Sequence, residues 1–325
     1  MSDPQTMKAW LCRRYGGPEV LELVDMAKPS PGPGEVLVKI HAATVTSGDS
    51  RIRGYRLPRG FGLIGRLVLG FTGPRKPLLG PDLAGTVEAV GADVTRFAPG
   101  DAVVAYPGTA QGCHAEYRVV SLTMPIERKP QNLSFEEAAS LLFGGMAALH
   151  FVEKSGLKAV EKILVIGASG AVGSAMVQLA HHRGAEVTAV TSAANADLVS
   201  SLGAAKVIDY AREDFTKNGE AYDVIADTVG ASTFAKCVPA LKENGRYLSI
   251  SGGLADMFAR RAGTKRSLGG VAAEKPEYLA ELVKLAEAGA LKPVIDSVHS
   301  FANLPDAHAR VDSGRKRGSV VVRVA

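Results

Sequence analysis

The stretch ILVIGASGAVG at 163–173 constrains this chain more than any other. A β-branched apolar run leads into a glycine turn, and a small-residue helical pattern continues to Arg183, where Gly184 stops it. Within the turn, Ala168, Gly170 and Gly173 fill the three small-residue slots of a dinucleotide fingerprint, with Ala in the first. Gly170 lets the backbone approach a pyrophosphate, and Gly173 lets helix and strand pack closely. Ser169, Ala171 and Val172 complete the turn and the first helical residues, whose free amides and positive dipole suit phosphate. A glycine motif alone is weak evidence; its place between a strand and a helix, with a second strand beyond, makes it specific.

The rest of the chain extends that unit. EVTAVT (186–191), KVIDY (206–210), YDVIAD (222–227) and RYLSIS (246–251) read as strands, with a helix over Ala196–Leu202 stopped by Gly203. Apolar strands alternating with helices imply a parallel sheet covered on both faces. SFEE at 134–137 is a capping box that opens an apolar helix running to about Val152. Pro276 opens another helix, which ends at Gly289. Residues 7–125 differ. Short apolar runs at 35–41 and 84–90 are punctuated by PSPGPGE and APGD, which suggests a small barrel-like β domain. Residues 51–77, rich in Arg, Gly and Pro with an apolar patch at Leu63–Phe71, read as a long loop or short helix over a cleft. The last strand, 319–324, is placed to rejoin the first domain.

Composition narrows the partners. With 325 residues the chain can build two cores. Its net charge of +5 is scattered until Arg315, Lys316 and Arg317 run together, which argues for a local anion rather than nucleic acid. Three separated cysteines form neither a disulfide framework nor a zinc-holding pair. The opening MSDPQTMKAW lacks the apolar core of a signal peptide, and no stretch approaches the roughly 18 apolar residues of a membrane span. A cytoplasmic protein with no membrane partner is expected. The end of the second strand reads Val190-Thr191-Ser192, with no acid to hold a ribose 2′-hydroxyl. Ser192 can donate to a 2′-phosphate instead, so NADPH is the expected cofactor; Asp197 serves the start of its helix.

GPGEVLVKI (32–40), GPDLAGTVEAVGADVTRFAPGDAVVA (80–105), GASGAVGSAMVQLA (167–180), LGAAKVIDY (202–210) and YDVIADTVG (222–230) together resemble the medium-chain dehydrogenase/reductase superfamily, in its zinc-free quinone oxidoreductase-like branch. The resemblance covers nearly the whole chain. It implies an α/β protein in which a doubly wound Rossmann domain (130–272) is inserted in a GroES-like β-rich catalytic domain (1–129 and 273–325), with the active site between them. It implies a homodimer that passes hydride from NADPH to a quinone, an α,β-unsaturated carbonyl or an aldehyde. It puts Tyr210 beside the 2′-phosphate, Arg315, Lys316 and Arg317 at the adenosine end, and Thr228 in the cofactor-binding set.

Thr46 stands where zinc-dependent relatives carry a ligating Cys, and Pro81, followed by Asp82, where they carry a His. Neither ligates zinc well, and the four-Cys lobe is missing, so no metal is expected. The resemblance points instead to 44–55 as the cleft lining. Thr46 and Tyr55 can donate to a developing oxyanion, and Asp49 can orient Arg53 or place substrate. Equally, Asp49 could cap a helix and Tyr55 could be a packing residue. Ala147 departs from the family pattern, removing a hydroxyl expected near the hydride. His150 reads as a core residue or one that supports the site from behind rather than a base, and His114, His299 and His308 as surface or satisfied ones. A metal-free alcohol dehydrogenase, or a nucleotide-binding protein with little catalysis, stays open beside the reductase.

Overall fold

The computed structural model describes residues 5–58, 60–258 and 260–325, with the Met257 side chain outside the described set. Four residues of the MSDPQTMKAW opening and Arg59 of the 51–77 segment therefore lie outside the described residues.

Two large sheets make the frame. In one, the strands run in the order Lys206–Asp209, Glu186–Thr191, Lys162–Ile166, Tyr222–Asp227, Leu241–Ser249, Lys265–Gly269, Arg260–Ala262. All are parallel except the last pair. The strand order reverses around Lys162–Ile166, which is the doubly wound arrangement with a crevice at the carboxyl end of that strand. Ile163, Leu164, Val165 and Ile166 are all buried, as a strand covered on both faces requires.

The second sheet draws on both ends of the chain. Glu35–Val45 pairs antiparallel with Leu83–Val90, Tyr117–Ser121 and Ser319–Arg323, and Ser319–Arg323 pairs parallel with Ile295–Ser300. The last strand thus rejoins the first half of the chain, as its position suggested. Ala102–Ala105 and Ile126–Arg128 complete this GroES-like sheet.

The structure extends the RYLSIS strand back to Leu241, across a register break opposite Tyr222 and Val224. Residues 51–77 carry more helix than the Gly/Pro punctuation indicated, because Ser47–Gly54 and Gly62–Leu69 are both helical. The second of these has a single polar residue, Arg66, so no polar face marks its period.

One helix joins the two sheets. Phe135–Ser155 opens on the expected box, with the Ser134 hydroxyl accepting from the Glu137 amide at 3.1 Å and the Glu137 carboxylate accepting from the Ser134 amide at 2.8 Å. It stops at Gly156, whose φ of 64° is left-handed. It packs on Glu35–Val45, Ser319–Arg323, Ala171–His182 and Pro276–Glu287. One hydrophobic core consequently runs from Ala42 and Val104 in the GroES-like sheet through Leu142 and Met146 to Val165 and Met176 beside the parallel sheet.

The helix can sit this close because residue 144 has no side chain. A Cβ on Gly144 would collide with the Ala171 carbonyl, which is backbone and cannot rotate away. We expect Gly144→Ala to lower stability by about 1–3 kcal/mol, the usual cost of overpacking a tight interface. Urea unfolding with an unchanged m-value checks this; an equally stable variant would show that the contact carries no weight.

Candidate active site and nucleotide site

Ala171–His182 begins at Gly170, and among the described residues the amides of Ala171, Val172 and Gly173 find no acceptor in the protein. Gly173 rests on the backbone of Gly167 and Ala168, where any Cβ would collide. Gly170 is different: a Cβ there would meet only the Gly167 carbonyl, at 3.5 Å. The protein does not need a glycine at 170, whereas a ligand lying against free amides does. The donor set and the cradle therefore fit a dinucleotide pyrophosphate.

The side chains proposed for the adenosine end converge beside this turn. The Ser169 hydroxyl accepts from Thr191 at 2.9 Å and from Asn195 at 3.1 Å, and Asn195 also reaches the Ser192 hydroxyl at 3.2 Å. Tyr210 follows the neighbouring strand; its amide donates to the Thr191 carbonyl and its ring is exposed. From the far end of the chain, the Gly318 amide donates to the Ser169 carbonyl at 2.8 Å and Gly318 bridges to Gly170. The 315–317 run is thereby delivered to the glycine turn. Asp296 holds it there, accepting from the Arg317 amide at 2.7 Å while gripped by the Arg310 guanidinium. Among the described residues Arg315 and Arg317 form no ion pair, so both cations are free for a ligand. Lys316 donates to the Gly318 carbonyl at 2.7 Å, and burial pushes its ammonium down to about 8. Thr228 lines the neighbouring cleft, with its hydroxyl committed to the Ile166 carbonyl at 2.8 Å.

Between the sheets lies a cleft of 420 Å³. Phe143, Ala147 and Phe151, one face of the bridging helix, form its floor. Thr46 and Pro81 wall one side, Thr228 and Ser249–Gly253 the other. Of the three catalytic candidates, only Thr46 borders this space. Its hydroxyl donates to the Asp49 carboxylate at 2.6 Å and accepts from the Asp49 amide at 3.2 Å, closing a capping box. Its proton is thus already committed. Asp49 is fully buried and its other oxygen accepts from the Gly80 amide at 3.1 Å. The capping role is the one its geometry serves, and it does not orient Arg53. That guanidinium, also fully buried, pairs with Asp312 at 2.5 Å and donates to Gly16 and His308. Tyr55 turns away from the cleft: its hydroxyl donates to the Gly62 carbonyl and its ring stacks on Tyr15 and Arg66. His114 and His308, expected at the surface or satisfied, are buried ring to ring; His114 bonds the Thr44 carbonyl at 3.0 Å, whereas the His308 Nε2 has no partner.

Sequence reasoning passed over three other residues of the cleft. Tyr106 borders it, nearly buried, and among the described residues its hydroxyl has no hydrogen-bond partner. Burial, reinforced by Asp82, Glu274 and Asp49, holds that phenol well above its usual range, so it stays protonated. Arg51 borders the cleft and has no ion pair among the described residues, its pKa drawn down by burial. Gln111 adopts φ 59°, a left-handed conformation that non-glycine residues seldom take, and its Oε1 is buried without a donor. The available signal was modest: AVVAYP places a polar-tipped aromatic at the end of a buried strand.

A family model described as alcohol dehydrogenase GroES-like domain matches residues 32–161, and one described as zinc-binding dehydrogenase matches 202–322. The 2-methylene-furan-3-one reductase of Solanum lycopersicum is 34% identical over 99% of this chain and 80% of its own. The mitochondrial NAD(P)H oxidoreductase RTN4IP1 of Mus musculus is 33% identical over 98% of this chain and 89% of its own. The quinone oxidoreductase of Coxiella burnetii superposes with a TM-score of 0.84 at 28% identity, covering 98% of this chain and 100% of that one. The chain belongs to the medium-chain dehydrogenase/reductase superfamily, in its zinc-free quinone oxidoreductase-like branch. It is an NAD(P)H-dependent oxidoreductase.

Zinc-dependent members of this superfamily need a donor set that these residues do not fit. The Thr46 hydroxyl is spent on Asp49, Pro81 offers no donor, and Asp82 is enclosed by the Thr44 amide and hydroxyl. Burial pushes the Asp82 carboxyl up to about 7. No group of three His, Cys, Asp or Glu side chains among the described residues is placed to hold a metal. The three thiols are buried, and burial raises the pKa of each, so none is a ready nucleophile.

Placing Lys316 at the nucleotide phosphate, as the resemblance implies, would make binding sensitive to pH. Its ammonium is cationic below about 8 and neutral above it, and only the cation attracts phosphate. Affinity for NADPH should therefore fall as pH rises from 7 to 9, by about tenfold if one charge-assisted contact is lost. Lys316→Arg, which keeps its charge, should flatten the profile. Fluorescence titration at each pH measures it, and an identical slope in the arginine variant would assign the effect elsewhere.

Proposed function

We propose that this protein is an NADPH-dependent reductase of quinones and α,β-unsaturated carbonyls, with aldehydes as further acceptors, and that Tyr106 is the donor to the substrate oxygen. The observation that carries the reading is the cleft itself: an apolar floor, an unpartnered phenol in its wall, and a phosphate-binding turn at its edge. The relatives whose names specify an enone and a quinone support the acceptor class.

A bound nicotinamide nucleotide supplies hydride to the acceptor. This chain's residues do the rest. Phe143, Ala147 and Phe151 exclude water and present a flat surface to a planar acceptor. As negative charge develops on the acceptor oxygen, Tyr106 donates a hydrogen bond to it, in a site where burial strengthens that bond. Its raised pKa makes it a poor acid, so it stabilises the enolate or hydroquinone anion and the proton comes from solvent at the open mouth. Arg51 adds positive charge to the same wall. A methyl at 147 in place of a hydroxyl leaves the oxygen more dependent on Tyr106. The same reading divides the chain into a nucleotide-binding unit over 130–272 and a catalytic unit over 1–129 and 273–325, and it includes a cytoplasmic homodimer.

Assay of purified protein with NADPH and NADH against a panel of quinones, enones and aldehydes tests the reaction; no turnover with any acceptor would refute it. Tyr106→Phe should lower kcat by about 100-fold, the scale of losing one oxyanion donor, with little change in NADPH affinity. Tyr55→Phe should leave kcat near wild type, because its hydroxyl faces Gly62. The reverse pattern would restore Tyr55 and remove Tyr106.

NADPH preference rests on Ser192, Tyr210 and the free cations Arg315 and Arg317. Arg317→Ala should weaken NADPH about ten- to hundredfold, the loss of a charge-assisted contact, and leave NADH nearly unchanged. Ser192→Asp should shift preference toward NADH by repelling the 2′-phosphate. Equal affinity of the wild type for both nucleotides would overturn the preference.

A further inference from the structure

The Gly62–Leu69 helix presents its apolar residues outward. Leu63 is 75% exposed, Val68 65%, Leu67 55% and Phe71, just beyond the helix, 60%. A monomer rarely leaves so many large side chains side by side in water without a use for them. The inward side is small: Gly65 is buried against Leu57 and Tyr55, so the helix lies flat on the protein with its apolar face away from it. Eight residues make a rod of about 12 Å, far too short to span a bilayer but long enough to lie in its surface.

Charge singles out the occupant. Residues 50–81 contain seven basic residues and no acidic one. Arg56, Arg75 and Lys76 are exposed around the helix, and exposed Arg14 lies against Gly73. Asp312, which pairs with arginines of this segment, is already taken by Arg53 and Arg56. An apolar face flanked by cations, in a segment that has no acidic residue of its own, matches an anionic membrane surface.

The same segment forms the cleft mouth. Leu57, Pro58 and Phe61 line the cleft and lead directly into the helix, and Gly60 touches Leu254 across the opening. Val271, which also lines the cleft, is 71% exposed. We propose that the outward face of Gly62–Leu69, with Phe71, docks this protein on an anionic phospholipid bilayer and sets the cleft mouth at the membrane surface. The sequence reading excluded a membrane span; docking of this kind needs none. Delivery of lipid-dissolved quinones or enones through that mouth rests on the reductase reading, whereas the docking does not.

Vesicle flotation of the full chain, without nucleotide or acceptor, tests the docking alone. Wild type should float with phosphatidylcholine vesicles containing roughly a third phosphatidylserine, stay behind with pure phosphatidylcholine, and be released by high salt. Leu67→Glu combined with Val68→Glu should weaken flotation at least ~10-fold, and so should Arg75→Glu combined with Lys76→Glu. Both pairs are exposed, so reduction of a water-soluble acceptor and the mass by light scattering should be unchanged. Wild type that ignores anionic vesicles, or a Leu67/Val68 double variant that floats as wild type does, would overturn the proposal. So would a drop in mass from dimer to monomer in that double variant, which would make this face a contact between copies of the chain.

Discussion

The first turn of the Ala171–His182 helix is held between two backbones. On one side Gly173 lies against the Gly167 carbonyl, and on the other Gly144 lies against the carbonyl of Ala171. No side chain separates these elements, so the turn has little freedom to move. Its three free amides therefore keep a fixed direction, at a turn whose Val172 lines the cleft. Because Gly144 belongs to the helix that also floors the cleft, the glycine turn and the cleft are tied to one helix.

A second layer lies beneath the cleft. Asp49, Asp82 and Arg53 are fully buried, each with several hydrogen bonds. Burying charge is costly unless it is paired, and each of these groups has its partners. Asp49 ties the Ser47–Gly54 helix to Gly80, Asp82 ties Thr44 to the strand beyond Pro81, and Arg53 ties the same helix to Asp312. These groups hold the wall and have no capacity left for substrate. The hydroxyl that does is on Tyr106, which the network surrounds without engaging.

Much of the fold was legible because it depends on local pattern. The capping box at Ser134, the glycine stops at 184, 203 and 289, and the strand–turn–helix order all follow from residues a few positions apart. The site was legible in part. Ser169, Ser192 and the 315–317 run lie together beside the glycine turn, and Tyr210 follows the neighbouring strand. The catalytic side was not. Thr46 and Tyr55 carry hydroxyls in the right stretch, but which way a hydroxyl points depends on Asp49 and on the Gly62 carbonyl. The Gly62–Leu69 segment was left open between loop and short helix for another reason, since a helix with an apolar outward face breaks the rule that apolar residues face the core.

By itself, the sequence determined the glycine turn between strand and helix, the absence of an acid at the end of the Glu186–Thr191 strand and the residue types at Thr46 and Pro81. These are properties of residue type and short spacing, which folding does not alter. Only the tertiary structure decided which polar groups are spent and which remain free. The ion pair at Arg53 depends on Asp312, far away in the chain, and the open phenol of Tyr106 on having no partner among the described residues. A hydrogen bond is a matter of tenths of an ångström between side chains brought together by packing, and no local pattern encodes it.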